Sequence, residues 1–253
     1  MTTITRTAVL LVLLVGVVSP VAVQAETVNC TPITTLPAVI TVQGIYCFTG
    51  NLNTAITSGN AIDIQTNNVI LDLNGFKLGG LAAGLGTTTN GIHALHRQNI
   101  TIKNGTIRGF MQGILLDSGG PSQGHVIEDI RADQNTLVGI QVASDGAIVR
   151  NNQVVATGGS TALGPNASAW GLLVSGHGPR VLNNDVIQAV KQGTGIAWGI
   201  LFLNGTDGLA INNRITDADK GIEYSDSTGK YRDNVTTSVI TPYTGGTDIG
   251  NNN

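Results

Sequence analysis

Gly171-Leu-Leu-Val174 and, 28 residues later, Gly199-Ile-Leu-Phe202 are two copies of one phrase: a glycine, an aliphatic residue, a variable position and another apolar residue. The same phrase occurs as Gly91-Ile-His-Ala94, Gly113-Ile-Leu-Leu116, Gly139-Ile-Gln-Val142 and Gly221-Ile-Glu-Tyr224. From glycine to glycine the intervals are 22, 26, 32, 28 and 22 residues. A period with a floor near 22 residues and tolerated insertions is the mark of a β-solenoid, in which each repeat is one turn of a coil. Ala61-Ile-Asp-Ile64 is an earlier copy without glycine and brings the expected number of rungs to seven.

Each rung has a second half. Val69-Ile-Leu-Asp-Leu-Asn74, Ile100-Thr-Ile-Lys-Asn104, Ala147-Ile-Val-Arg-Asn-Asn152, Val181-Leu-Asn-Asn184, Ala210-Ile-Asn-Asn213 and Tyr231-Arg-Asp-Asn234 are short β-branched runs ending in asparagine. An apolar residue follows each within a few positions. The rung therefore reads as strand, turn, strand, asparagine corner, short strand, and no 3.6-residue period is sustained. Stacked rungs repeat about every 4.8 Å, so like residues form columns. Asparagine tolerates the left-handed geometry of a tight corner, and its amide can bond the next amide in the column. Asn74, Asn152, Asn184 and Asn213 are assigned to such a ladder. The glycine that opens each strand is needed for a positive φ or for want of room.

Composition agrees with a coil. Charged residues make up 11% of the chain, aromatics 4%, and there are 34 glycines among 253 residues. A net charge of −3 without a basic block excludes a nucleic-acid backbone as partner. Arg6, an apolar run from Ala8 to Val18, and Val23-Gln24-Ala25 before Glu26 read as a signal peptide over 1–25, with a retained anchor as the alternative. The mature chain is thus expected to be secreted, periplasmic or on the cell surface, with no membrane span. In that oxidising setting the two cysteines, Cys30 and Cys47, are expected to form one disulfide clipping an N-terminal cap over 26–60. The β-helix is assigned to 61–246 and a tail to 247–253.

With these rungs in place, Asn67-Asn-Val-Ile-Leu-Asp-Leu-Asn-Gly75 and the closing Tyr243-Thr-Gly-Gly-Thr-Asp-Ile-Gly-Asn-Asn252 resemble the bacterial right-handed parallel β-helix repeat proteins of the pectate-lyase-like superfamily. The resemblance covers about residues 27 to 253. It implies a single-stranded, right-handed, all-β parallel helix, but no particular activity, because the fold carries lyases, hydrolases, epimerases, phage tail parts and surface proteins.

In a Gly-Ile-x-Val strand the two aliphatics face inward and x faces out, with a second outward position two residues on. The outward pairs run Asp63 and Gln65, His93 and Leu95, Leu115 and Asp117, Gln141 and Ala143, Leu173 and Ser175, Leu201 and Leu203, Glu223 and Ser225. Asp63 and His93 are stacked neighbours, and Asp117 lies two rungs from Asp63; they are the candidates for acid–base chemistry on a polysaccharide. Gly176-His177-Gly178 and Asn204-Gly-Thr-Asp207-Gly208 are similar to elements of polygalacturonase-like members, which adds His177 as a candidate. Their order is reversed here, however, and the adjacent acidic pair and the Arg-x-Lys of those members are missing. Asp217, Asp219 and Glu223, with Asp226 nearby, form the densest acidic group. They are a weak candidate for Ca²⁺, short of a full ligand run; otherwise no metal or cofactor is expected.

The less expected feature is apolar. Trp170 and Trp198 hold equivalent positions just before two successive glycines, beside outward Leu173, Leu201 and Leu203. Stacked indoles would make a flat platform for a sugar ring or a protein. The insertions at 157–169 and 190–197 could instead fold back and cover it. The sequence therefore favours a secreted, non-catalytic module binding polysaccharide or a protein partner through this stripe. The alternatives are a polysaccharide lyase or glycoside hydrolase, and a self-assembling surface or filament component, that is, a homo-oligomer.

Overall fold

The computed structural model describes residues 29–117 and 121–253; the expected signal peptide lies outside them. Among the described residues 23 strands form one continuous ladder in which every pairing is parallel. The chain is an all-β parallel solenoid of about eight turns. Each turn contributes to three sheets. The first holds the glycine strands, such as Gln112–Asp117, Val138–Ala143, Ala169–Ser175 and Ala197–Leu203. The second holds Ile148–Arg150, Arg180–Leu182 and Gly208–Ile211, and the third Gln153–Gly158 and Asp185–Val190.

The predicted alternation holds. Ile114, Leu116, Ile140, Val142, Leu172, Val174, Ile200 and Phe202 are all buried in one continuous core. Toward the C-terminus the core turns aromatic: Phe202 stacks on Tyr224 with ring centroids 4.4 Å apart, and Tyr231 on Tyr243 at 5.0 Å.

Want of room, not φ, explains the glycine column. None of Gly91, Gly113, Gly139, Gly171, Gly199 or Gly221 has a positive φ. A Cβ on Gly113 would lie 2.6 Å from the carbonyl oxygen of Gly139, and one on Gly171 would lie 2.6 Å from that of Gly199. The first five back onto the next glycine's carbonyl and Gly221 onto that of Pro242, so a side chain at any one of them would push a rung apart.

The asparagine ladder is longer than expected and differently placed. Asn152, Asn184, Asn213 and Asn234 are buried. The backbone N–H and the side-chain amide of each donate to Oδ1 of the next, at 2.9–3.1 Å, ending on Asn252. Asn74 does not belong to it. It has φ 48°, so it is the left-handed corner residue itself, and it donates through Nδ2 to the carbonyl of Phe48. Asparagine serves two jobs at these corners: Asn151, Asn183 and Asn212 supply the left-handed residue, and the next residue supplies the ladder.

The coil also runs beyond 61–246. Ala38–Ile40 pairs in parallel with 62–64 and Gly44–Phe48 with Val69–Asp72, so the segment assigned as a cap is itself wound as coil. Its first-sheet strand, Ala38–Ile40, lacks the glycine phrase, which hid it from the repeat count; Gly44-Ile-Tyr-Cys47 fits the phrase but lies in the second sheet. Cys30 and Cys47 are disulfide-bonded, tying this first turn together. At the other end Thr247–Asp248 continues the second sheet beside Lys230 and Tyr231. No helix among the described residues is long and apolar enough to cross a membrane.

Candidate functional site

Side chains on the outer surface of the first sheet stand in columns fixed by the register. The position before the glycine runs Asn60, Asn90, Gln112, Val138, Trp170, Trp198, Lys220. The position two after it runs Asp63, His93, Leu115, Gln141, Leu173, Leu201, Glu223. The face is polar at its N-terminal end and apolar toward the other, where Lys220 and Glu223 close it, with Gln112 bridging to Gln141 at 2.7 Å between the two parts.

At the apolar end the indoles of Trp170 and Trp198 are parallel within 5°, their centroids 5.3 Å apart. That spacing is close to one rung, so the coil itself aligns the rings. Below them the Lys220 ammonium lies 5.8 Å from the Trp198 ring centroid and pairs with Glu223 at 2.7 Å. Glu223 also accepts the Trp198 indole N–H. Trp170 lacks the equivalent bond: its Nε1 is covered and without an acceptor, because Leu201 holds the register position that Glu223 holds one rung on. Leu201 departs from the exposed placement expected of it. It is only 5% exposed, wedged in the column between Leu173 and Glu223, while Trp170, Leu173, Trp198 and Leu203 are half-buried. The two insertions pack on each other: Gln192 N donates to Ala167 O at 2.8 Å, and Thr194 N to Asn166 Oδ1 at 2.9 Å. They lead directly into Trp170 and Trp198, one at the start of each strand.

At the polar end Asp63 and His93 are in contact, His93 Nδ1 lying 2.6 Å from Asp63 Oδ1. Gln65 donates to the other carboxylate oxygen at 2.7 Å, and Asn60 to Oδ1 at 3.2 Å. Burial pushes the Asp63 carboxyl up, but the hydrogen bonds from His93, Gln65 and Asn60, with the charge of His93, outweigh it and hold the group below its usual value. Where the Asp63 carboxylate accepts the Nδ1–H of His93, it fixes the ring with Nε2 directed away from it. Asp117 lies one rung beyond His93 and two residues along the strand, opposite Leu95.

His177 is elsewhere. It sits in the turn between the first and second sheets, its Nδ1 2.7 Å from Thr206 Oγ1 and 3.7 Å from Asp207, and does not join Asp63 and His93. The acidic group is not assembled either. Asp219 pairs with Lys191 at 3.0 Å and accepts the Ala197 N–H, Glu223 is held by Lys220 and Trp198, and Asp217 is exposed at a corner with φ 57°. Among the described residues no three acidic, histidine or cysteine side chains converge as metal ligands.

One titratable group escaped the sequence reading. His125 is 1% exposed; its Nδ1 accepts the Ile100 N–H at 3.1 Å, so the neutral ring carries its proton on Nε2, 2.9 Å from Ser122 Oγ. The histidine donates to the serine and cannot also take its proton, which rules out a serine nucleophile here. Burial pushes the His125 pKa from 6.5 down to about 4. Above pH 6.5 neither folded nor unfolded chain binds this proton; below it the unfolded chain binds it first, so stability falls until pH reaches about 4. The whole shift corresponds to about 3 kcal/mol. Urea midpoints taken from neutral pH down toward pH 4 should show this loss, and His125→Gln should flatten it; an equal slope in that variant would assign the loss to other groups.

The same coil occurs in phage tailspikes. The enzymatically active domain of bacteriophage CBA120 tailspike protein 2 is similar with a TM-score of 0.54 and 17% identity over 87% of this chain and 38% of that one. The full-length tailspike protein 2 of an Escherichia coli O157:H7 bacteriophage gives 0.56 and 18% over 87% of this chain and 34% of that one. At such identities the likeness is one of fold, and the chain spans little more than a third of either protein's length. No protein-family model and no curated protein matches the chain.

Proposed function

We propose that the chain is a secreted, non-catalytic member of the pectate-lyase-like β-helices that binds polysaccharide through the outer face of its first sheet. The observation that carries this reading is the stacked Trp170–Trp198 pair, whose rings are set parallel by the coil on the sheet face that also carries Leu173 and Leu203. Stacked along the column between Val138 and Lys220, the indoles turn their edges outward as a rigid apolar ridge, which can pack against the C–H groups of pyranose rings and orders few rotamers on binding. The likeness to tailspikes supports a partner outside the cell, as does a disulfide in the first turn.

A second reading rests on the Asp63–His93 contact. With Asp63 orienting His93, Nε2 could act as a general base on a polysaccharide, and one similar domain is named as enzymatically active.

Retention on immobilised polysaccharides separates the two. Trp170→Ala and Trp198→Ala are expected each to weaken retention at least about tenfold, while Asp117→Ala and His177→Ala leave it unchanged. Reducing ends and unsaturated products, assayed from the same mixtures, should stay at background. Products that vanish in His93→Ala would replace the binding reading with the catalytic one.

A further inference from the structure

A second concavity lies around the corner from the tryptophans. It is a groove of about 430 Å³ at the turn between the first and second sheets, lined by Gly178, Arg180, Asp207, Leu209, Thr228 and Lys230, with Gly208, Gly229 and Thr247 completing it. We infer that this groove is a binding site for an acidic sugar unit, separate from the tryptophan platform.

The charges point there first. Arg180, Leu209 and Lys230 form one outward column, which sets the two cations two rungs, about 10 Å, apart on either side of an apolar residue. Several other outward cations on the second and third sheets are neutralised by a carboxylate in an adjacent rung: Lys103 by Asp72, Arg150 by Glu128, Arg214 by Asp185. Among the described residues Arg180 and Lys230 take part in no ion pair. Two unneutralised cations in one groove of a chain with net charge −3 favour an anion.

The rest of the lining asks for more than an anion. Asp207 is 75% exposed at the rim, within 3.7 Å of His177, and can accept hydroxyl protons. Thr228 and Thr247 add hydroxyls, and Leu209 gives a flat apolar patch between the cations. Gly178, Gly208 and Gly229 line the groove, and a Cβ on Gly208 or Gly229 would meet Phe202 or Tyr224 in the core rather than a ligand. A bare anion would leave the hydroxyls, the carboxylate and the apolar patch unused; a neutral sugar would leave both cations unmatched. A polyhydroxylated ring bearing one carboxylate sets that carboxylate on the planar Arg180 fork and leaves ring and hydroxyl oxygens for the Lys230 ammonium. The volume falls in the range of small-ligand sites.

The test is an NMR titration of the full chain with D-glucuronate, D-glucose and inorganic phosphate at matched ionic strength, following the amides of Gly208 and Gly229. These amides are expected to respond to glucuronate at about tenfold lower concentration than to glucose or phosphate. Arg180→Gln with Lys230→Gln, both exposed positions, should raise the glucuronate Kd about tenfold or more, whereas Trp170→Ala should leave it unchanged. The inference fails if Gly208 and Gly229 do not respond, if glucose or phosphate binds as well as glucuronate, or if the double variant binds normally. Because the site is independent of the platform, loss of binding in Trp170→Ala would also contradict it.

Discussion

Gly171→Ala should destabilise the coil by about 3 kcal/mol although it adds a single methyl group. The new Cβ would stand 2.4 Å from Val186 Cγ1 and 2.6 Å from the carbonyl oxygen of Gly199. Val186 is a core residue that can yield only by moving its neighbours, and the Gly199 carbonyl is backbone of the next rung. Relief therefore requires the two rungs to separate, and strand pairing on both sides of the glycine column weakens with them. Gly50→Ala is the control. Nothing lies within 4 Å of a Cβ there and its φ is not positive, so its effect should stay within about 0.5 kcal/mol. Paired urea denaturation curves give the comparison; equal midpoints would refute the packing account of the glycines.

Asn184→Ala should cost about 3 to 5 kcal/mol, the sum of several buried groups left without partners. Asn184 Oδ1 accepts both the backbone N–H and the amide of Asn152, and its Nδ2 donates to Val149 O at 2.9 Å and to Asn213 Oδ1 at 3.0 Å. Alanine leaves the Asn152 N–H and half of its amide unpaired where water does not reach, and takes one bond from the Val149 carbonyl. Asn183→Ala is the matched comparison. That side chain is exposed and contributes mainly its tolerance of φ 55°, so about 1 kcal/mol is expected. If the two variants unfold at the same urea concentration, the buried ladder is not what holds the corner.

Much of this was legible in the sequence because a parallel coil places like on like: one phrase repeated six times revealed the sheets, their inward faces and the meeting of Asp63 with His93. The first turn was not legible, since Ala38-Val-Ile40 carries no glycine and its pairing is set only by contact with the rung below. Asn74 was misplaced because left-handed corner and buried ladder both favour asparagine, and only the backbone distinguishes them. Leu201 was read as exposed because alternation reports direction, not what stacks above and below. The groove at Arg180 and Lys230 stayed hidden for a related reason: which cation finds a carboxylate depends on the register between rungs, and turns of varying length obscure that register. Asp217, Asp219 and Glu223 are close in sequence, yet the strand they occupy turns their carboxylates toward different partners.

Trp170 and Trp198 are the two tryptophans of the chain, so its indole fluorescence reports the proposed platform. The most direct measurement is acrylamide quenching of that fluorescence with and without each polysaccharide that the chain retains. Binding across the platform predicts that a retained polysaccharide shields the indoles and lowers the quenching constant, and that a non-retained one does not. Unchanged quenching with every retained polysaccharide would contradict the account and place the binding surface elsewhere on the coil.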